Sequence, residues 1–421
     1  MVKPGYKQTE VGMIPEPWKV SSLAAAFQRL EAGVSVNSDD SLSSEYHILK
    51  TSAVHDGVVD TAETKPVIPR DYPRLKCPLV KGSIIISRMN TPALVGECGF
   101  AKDAKAGTYL PDRLWQIQNL NKSSFDFVWL NYLLNTKQYR DAVRATATGT
   151  SNSMKNISKE RLLDIKIPHP PISEQENIAA ILSEVDELIN LVEKQINKKK
   201  AIKQGAMQEL LTGKRRLPGF SGKWISGKWE EVLDCFSSGA TPYRGNPTFY
   251  KGSIKWVSSG ELNYNHIMDT LEHISTEAKE KTNLTIHPAG IFLMAITGLE
   301  ASGTRGSCAI LDAPATTNQS CMAIYGTDKM STEYLFHYYV QHGDELAFQY
   351  CQGTKQQSYT AAIVKKLPIY YPEDVAEQNA IASVLTSMDN EVRALKQKLA
   401  KYRQVKQGMM QQLLTGKIRL M

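Results

Sequence analysis

The chain has 421 residues, a hydrophobic fraction of 42% and a net charge of +7 from 50 Lys and Arg against 43 Asp and Glu. That length supports two to three domains with real cores. No apolar run approaches the ~20 residues that span a bilayer, and Met1–Lys7 lacks an apolar signal core, so the expectation is a soluble cytoplasmic protein and no membrane partner. The cysteines, Cys77, Cys98, Cys235, Cys308, Cys321 and Cys351, form no Cys-x-x-Cys pair. That argues against a zinc site and against a disulfide scaffold.

In chain order, Trp18-Lys19-Val20 opens a region with a strand-sized apolar run from Gly82 to Arg88 and a helical pattern from Phe127 to Arg144. Gly149-Thr150 and the prolines Pro168, Pro170 and Pro171 then precede a long helical stretch, with Ser173 placed to cap its start. Apolar residues recur there at three- and four-residue steps, at Ile178, Ile181, Val185, Leu188 and Val192, which reads as a coiled-coil seam. Gly213 stands where a C-cap belongs. Trp229-Glu230-Glu231-Val232 reopens the pattern, with strand runs at Ile254–Ser258 and Ile291–Ile296 and a helix at Thr332–Phe348. Gly353-Thr354, Pro368 and Pro372 lead into a second helix with Ile381, Val384, Met388, Leu395, Tyr402 and Val405 on its seam and Gly416 at its end.

The chain is therefore written twice. Glu174-Gln175 recurs as Glu377-Gln378, an offset of 377 − 174 = 203 that holds without a gap to Leu217 and Leu420. Agreement is best at Lys203-Gln204-Gly205-Ala206-Met207-Gln208-Glu209-Leu210-Leu211-Thr212-Gly213-Lys214, matched by Lys406-Gln407-Gly408-Met409-Met410-Gln411-Gln412-Leu413-Leu414-Thr415-Gly416-Lys417. The predicted fold class is α+β. Two mixed α/β domains are separated by two long helices, which pack as an antiparallel coiled coil related by a pseudo-twofold axis. The predicted segments are 1–155, a helical 156–217, 218–360 and a helical 361–421. At ~1.5 Å per residue, Glu174 to Leu211 spans about 57 Å. Charge concentrates in the helices: Lys194–Leu217 carries +7 and Arg393–Met421 +8, leaving 7 − 15 = −8 elsewhere. The runs Lys198-Lys199-Lys200 and Lys401, Arg403, Lys406 fit a solvated face, a phosphate-tracking surface or an acidic protein partner.

No enzyme motif survives inspection. Gly222-Lys223-Trp224-Ile225-Ser226-Gly227-Lys228-Trp229 has the spacing of a phosphate-binding loop but ends on Trp where Ser or Thr binds magnesium. Asn246-Pro247-Thr248-Phe249 approaches an adenine-methyltransferase signature but lacks its second proline and a glycine-rich cofactor loop. His337 and His342 are five apart and do not share a helical face.

This layout resembles the specificity subunits of type I restriction-modification systems over nearly the whole chain. The resemblance rests on Ser173-Glu174-Gln175-Glu176 with its helix ending Leu210-Leu211-Thr212-Gly213-Lys214, and on the repeat of that helix. It rests also on Tyr6-Lys7-Gln8-Thr9-Glu10-Val11-Gly12-Met13-Ile14-Pro15 and on Ser238-Gly239-Ala240-Thr241-Pro242-Tyr243-Arg244-Gly245-Asn246-Pro247 leading to Trp256-Val257-Ser258-Ser259-Gly260-Glu261-Leu262. Ala240 stands where the family usually has a second glycine, and the first domain lacks the Gly-Thr-Pro motif. The resemblance implies that each globular domain is a target-recognition domain for double-stranded DNA, and that the helices dock two methyltransferase subunits. Motor-nuclease subunits complete the enzyme. It implies no catalytic residue, metal or cofactor in this chain, with S-adenosylmethionine on the methyltransferase partner.

Two diverged readers on a spacer suit a bipartite, asymmetric target. Base reading requires Arg or Lys for guanine and Asn or Gln for adenine, presented on turns where backbone approaches DNA. Candidates in the first domain are Arg88, Asn90, Arg113, Thr150, Asn152 and Lys155. In the second they are Thr241, Tyr243, Arg244, Thr304, Arg305, Lys355 and Gln356. Each residue type is equally ordinary on a solvated turn. Two other readings stand beside this one: a coiled-coil adaptor without base recognition, and the recognition half of a single-chain restriction-methylation enzyme. A repeat complete at both ends argues against the latter.

Overall fold

A computed structural model of the chain describes residues 4–120, 122–148, 154–299, 305–351 and 357–420. Its contacts divide it into two units, Met1–Glu193 with Lys398–Met421, and Lys194–Gln397. Two helices of 39 residues each, Ile172–Leu210 and Val375–Leu413, give one part to each unit.

In the first unit a six-stranded sheet runs in the order Arg29–Ala32, Leu114–Gln118, Ile84–Ser87, Cys98–Phe100, Gly57–Val59, Val54–His55. In the second, a five-stranded sheet runs Leu233–Ser238, Cys321–Gly326, Phe292–Ala295, Cys308–Leu311, Asn265–Ile267. The first five strands of the one order match the five of the other, with Val54–His55 as the extra edge, and one parallel pairing falls at the same place, Cys98–Phe100 on Gly57–Val59 and Cys308–Leu311 on Asn265–Ile267. A small three-stranded sheet accompanies each: Thr108–Tyr109, His47–Leu49 and Thr64–Pro66, against Thr316–Thr317, Ile254–Val257 and Glu272–Ile274. The central strands are continuous apolar runs because both their faces are covered: Ile84, Ile85 and Ile86 are at most 1% exposed, and Phe292, Leu293 and Met294 are fully buried.

A two-stranded pairing closes each unit beside its long helix, Lys19–Ser22 with Lys166–His169 and Trp224–Lys228 with Pro368–Pro372. The helix expected over Phe127–Arg144 is two helices, Phe127–Leu134 and Lys137–Ala145. They part at Asn135, whose side-chain amide turns back to the Asn131 carbonyl at 2.8 Å. Its counterpart, Thr332–Tyr350, is unbroken. The first long helix starts at Ile172, so Ser173 sits inside its first turn rather than capping it. Gly213 and Gly416 end the helices with φ of +70°, the left-handed conformation that favours glycine. The next amides close each end, Arg215 onto the Glu209 carbonyl and Ile418 onto the Gln412 carbonyl.

Within each unit the two helix segments run antiparallel. In the first, Arg403 meets Glu193 at 2.6 Å and Lys406 meets Asp186 at 2.6 Å; in the second, Lys199 meets Glu391 and Lys203 meets Asp389. Ile178, Val185, Val192, Ile381, Met388, Leu395 and Tyr402 lie along the covered side. The other column of the seam is Leu182, Ile189 and Ile196 with Leu385 and Val392, all buried. That column lies one residue later than the spacing of Ile181, Leu188, Val384 and Val405 predicts. Ile181 and Val384 instead pack half-buried against their own cores, and Leu188 and Val405 are each 45% exposed. Apolar residues stand side by side at 181–182, 188–189 and 384–385, so spacing alone admits either column.

Candidate nucleic-acid interface

The central strand of each unit ends in a corner built by the same backbone bonds. In the first unit the Arg88 amide donates to the Arg113 carbonyl at 3.0 Å, and the Ile157 amide donates to the Arg88 carbonyl at 2.9 Å. In the second, the Ile296 amide donates to the Ser320 carbonyl at 2.9 Å, and the Tyr359 amide donates to the Ile296 carbonyl at 2.8 Å. The short strand Met89–Asn90 then pairs with Lys155–Ile157, setting Asn90 opposite Lys155, while Thr297 bridges Ser358 in the second unit. Four of the first-domain candidates, Arg88, Asn90, Arg113 and Lys155, are thereby brought to one corner although 67 residues separate the first from the last (155 − 88).

Their side chains differ in what already holds them. The Arg88 guanidinium lies 5.5 Å from the Trp115 ring centroid. Asn90 donates to Ser87 Oγ at 3.1 Å and accepts from the Thr91 amide at 2.9 Å. Arg113 is exposed and forms no ion pair among the described residues. Thr150 and Asn152, which fall in sequence between Thr148 and Lys155, lie outside the described residues.

In the second unit, Gly239 lets the chain run against the Thr317 backbone, where a Cβ would fall 1.7 Å from the carbonyl oxygen. Thr241 then donates to the side-chain oxygen of Gln319, one residue before the corner carbonyl of Ser320. Tyr243 is 74% exposed. Arg244 turns away to Glu272, with two hydrogen bonds at 2.5 and 2.8 Å, and stacks 4.3 Å from the Tyr250 ring centroid. Those hydrogen bonds hold the Glu272 carboxyl below its ordinary range. Arg305 donates to the Leu299 carbonyl at 3.0 Å and lies over the Phe348 ring, itself 71% exposed. Thr304, Lys355 and Gln356 lie outside the described residues. Gln319, Glu272 and Phe348 were not singled out in the sequence. A polar Asn318-Gln319-Ser320 run between two strands was the available signal for the first; the other two had none.

The repeated Glu-Gln pair proves to be a brace. Glu174 is 3% exposed and accepts two hydrogen bonds from Arg419, at 2.6 and 2.8 Å, and one from Trp18 Nε1 at 2.9 Å. Glu377, fully buried, accepts two from Arg216, at 2.5 and 2.6 Å. The next residue, Gln175, donates to the Ser124 and Pro170 carbonyls and accepts from the Asp126 amide at the start of the Phe127 helix. Gln378 does the same with the Lys329 and Pro372 carbonyls and the Ser331 amide. The offset of 203 carries every one of these braces' helix and tail residues onto its partner: 174 to 377, 175 to 378 and 216 to 419. The Lys406–Asp186 and Lys203–Asp389 pairs obey it too. Of the repeated cations, Lys199, Arg403 and Lys406 are thus engaged within their own units, while Lys198, Lys200 and Lys401 are exposed.

Among the described residues no group of three or more His, Cys, Asp or Glu is arranged to hold a metal ion, and no helix is long and apolar enough to cross a membrane.

The profile described as "Type I restriction modification DNA specificity domain" matches residues 15–201 and again 222–402. The type I restriction enzyme MjaVIII specificity subunit of Methanocaldococcus jannaschii is 24% identical over 99% of this chain and 96% of its own length. A putative type I restriction enzyme MjaX specificity subunit of the same organism is 28% identical over 49% of this chain and 48% of its own. Among solved structures, the type I restriction-modification system S subunit from M. genitalium superposes with a TM-score of 0.60 at 14% identity, covering 97% of this chain and 98% of that one, a likeness of fold.

Proposed function

The chain belongs to the type I restriction-modification DNA specificity family, and on that premise we propose that it reads a bipartite, asymmetric DNA target and positions catalytic partners on it. Each unit is a target-recognition domain that reads one half-site through its corner. The observation that carries the reading is the pair of corners: identical in backbone bonding, different in side chains. A symmetric reader would present the same donors twice; here Arg88 and Arg113 stand where Ile296 and Ser320 stand in the second unit. Phosphate contacts set the register and a minority of side chains read base edges.

The chain itself is non-catalytic and cytoplasmic. Two methyltransferase subunits carrying S-adenosylmethionine dock on the helices, and motor-nuclease subunits complete the restriction enzyme. The methyltransferase extrudes an adenine for methylation, because a base stacked in the duplex is out of reach. Which adenine it reaches is decided by where this chain holds the complex.

The test is to co-express the chain with the methyltransferase of its own system and map methylated adenines on genomic DNA. Replacing residues 18–150 by those of another family member should change one half of the motif and leave the other half and the gap intact. A stable complex with no methylated motif would favour the adaptor reading and remove base recognition.

A further inference from the structure

A cavity of about 710 Å³ lies within the first unit, between its domain and the last turns of the second long helix. That volume falls within the roughly 300–1,000 Å³ of pockets that hold small molecules. Ile14, Leu133, Met410 and Leu414 give it apolar walls, and the break at Asn135 and Thr136 opens onto it. Five cations line it, Lys137, Arg140, Arg403, Lys406 and Lys417, against one carboxylate, Asp56. Four of the cations are paired: Lys137 with Asp141, Arg140 with Asp56, Arg403 with Glu193 and Lys406 with Asp186. Lys417 is exposed and forms no ion pair among the described residues.

The second unit supplies an internal comparison. Gln175 and Gln378 hold the two domain helices at their starts, through the amides of Asp126 and Ser331. The domains therefore correspond here at an offset of 331 − 126 = 205, and Leu133, Thr136 and Lys137 answer Tyr338, Gln341 and His342. Tyr338 is 6% exposed, and its ring lies 4.6 Å from that of His342. Gln341 bonds Gln204 of the long helix at 3.3 Å. The long helices themselves agree: Gln204, Met207 and Leu211 recur at the offset of 203 as Gln407, Met410 and Leu414. Met207 is 3% exposed, whereas Met410 is half-buried and lines the hollow. The second unit thus covers this stretch of helix with an unbroken domain helix and two rings of its own. The first unit sets a leucine, a lysine and a broken helix against the same stretch.

We infer that the hollow is a binding site for a small aromatic anion, of the class of the aromatic carboxylates. Its ring takes the place that Tyr338 and His342 fill in the other unit, against Leu133 and Met410, whose sulfur is suited to a ring edge. Its anionic group goes to the ammonium of Lys417, which no carboxylate of the described residues claims. Walls without partner atoms forfeit dispersion contacts, and a bound ring restores them. A guest against Ile14, Leu133 and Met410 joins three distant stretches of chain, so binding stabilises the first unit.

A saturation-transfer NMR titration of the full-length chain with indole-3-acetate tests this. Indole-3-acetamide lacks the charge and cyclohexylacetate lacks the aromatic ring. Indole-3-acetate should bind with a dissociation constant of about 1 mM or tighter, as suits a ligand of that size. Each analogue should bind about threefold more weakly or worse. Gln407→Trp, at an exposed position on the cavity wall, should abolish binding by filling the hollow. Gln204→Trp, at the repeated position of the second unit, should leave it unchanged. Leu133→Tyr, which installs the second unit's residue, should abolish binding and raise the melting temperature of the free chain. Lys417→Met should bring indole-3-acetate down to the affinity of the amide. No binding by the wild type, equal affinity for all three compounds, or wild-type affinity in Gln407→Trp would each overturn the assignment, and none of them touches the reading of DNA.

Discussion

The two Arg–Glu braces are the same interaction in unequal surroundings, and the inequality makes a quantitative prediction. Arg216 and Arg419 are 27% and 22% exposed, and their carboxylate partners 0% and 3%. Replacing Arg216 by alanine strands Glu377 with no other side-chain donor among the described residues, and an uncompensated buried charge costs about 3–5 kcal/mol. Replacing Arg419 leaves Glu174 the indole of Trp18 at 2.9 Å. A hydrogen bond to a charged group retains roughly 1.5–3 kcal/mol, so Arg419→Ala should cost about 1–3 kcal/mol. Trp229, which opens the second half of the repeat as Trp18 opens the first, makes no hydrogen bond from its buried Nε1, so the second unit lacks the reserve. Chemical denaturation of the full-length chain, followed by fluorescence, measures both losses. Arg216→Met combined with Glu377→Leu should recover most of the Arg216→Ala loss, because it removes the charge together with its partner. Equal costs for the two single variants, or costs below about 0.5 kcal/mol, would refute the argument that desolvation of the carboxylate dominates.

Three further outcomes follow from the same geometry. Gly416→Ala places a Cβ 2.5 Å from the Pro15 ring, on top of the strain at φ +70°, whereas Gly213→Ala meets the Trp224 ring at 3.2 Å; calorimetry should show the first variant losing more than the roughly 1–2 kcal/mol of left-handed strain and the second losing less than the first. Burial holds the His337 imidazole at about 4, below its ordinary 6.5, with Nε2 bonded to Thr386 Oγ1 at 2.9 Å and Lys203 and Asp389 nearby. A base whose folded pKa is depressed stabilises the fold fully above pH 6.5 and loses that contribution as pH falls toward 4, about 2 kcal/mol of it by pH 5; His337→Gln should flatten stability across that window, and an unchanged pH profile would count against it. For DNA, Arg113→Ala should weaken binding and lower the salt slope by about 1, while Arg244→Ala, whose guanidinium is committed to Glu272, should change binding little; filter binding across a salt series would expose the reverse order.

Periodicity and self-comparison made the helices, their antiparallel pairing and the doubled order of the domains legible in the sequence. The central strands were legible because a strand covered on both faces is an uninterrupted apolar run. The second seam column was not, since neighbouring apolar residues at 181–182 and 384–385 satisfy either register until a packed neighbour chooses between them. The break at Asn135 depends on a side chain bonding back to its own helix, which composition does not signal. At the corners, sequence could nominate residue types but not their commitments. Arg113 and Arg244 look equivalent as letters, yet one is exposed and the other is bonded twice to Glu272, 28 residues away. The Glu-Gln pair was visible as a repeat, but its role requires Arg419 to be brought 245 residues back along the chain.

The contacts that brace each unit recur at the offset of 203. Glu174 and Glu377 hold the tails, Gln175 and Gln378 hold the domain helices, Asp186 and Asp389 hold the seam lysines, and Gly213 and Gly416 end the helices. The corners keep their backbone bonds but not their side chains: Arg88 answers Ile296 and Arg113 answers Ser320. A duplicated chain freed from any common task would let both classes drift alike. A chain that must be built the same way twice, while meeting two different surfaces, would keep the first and change the second, which is the pattern found.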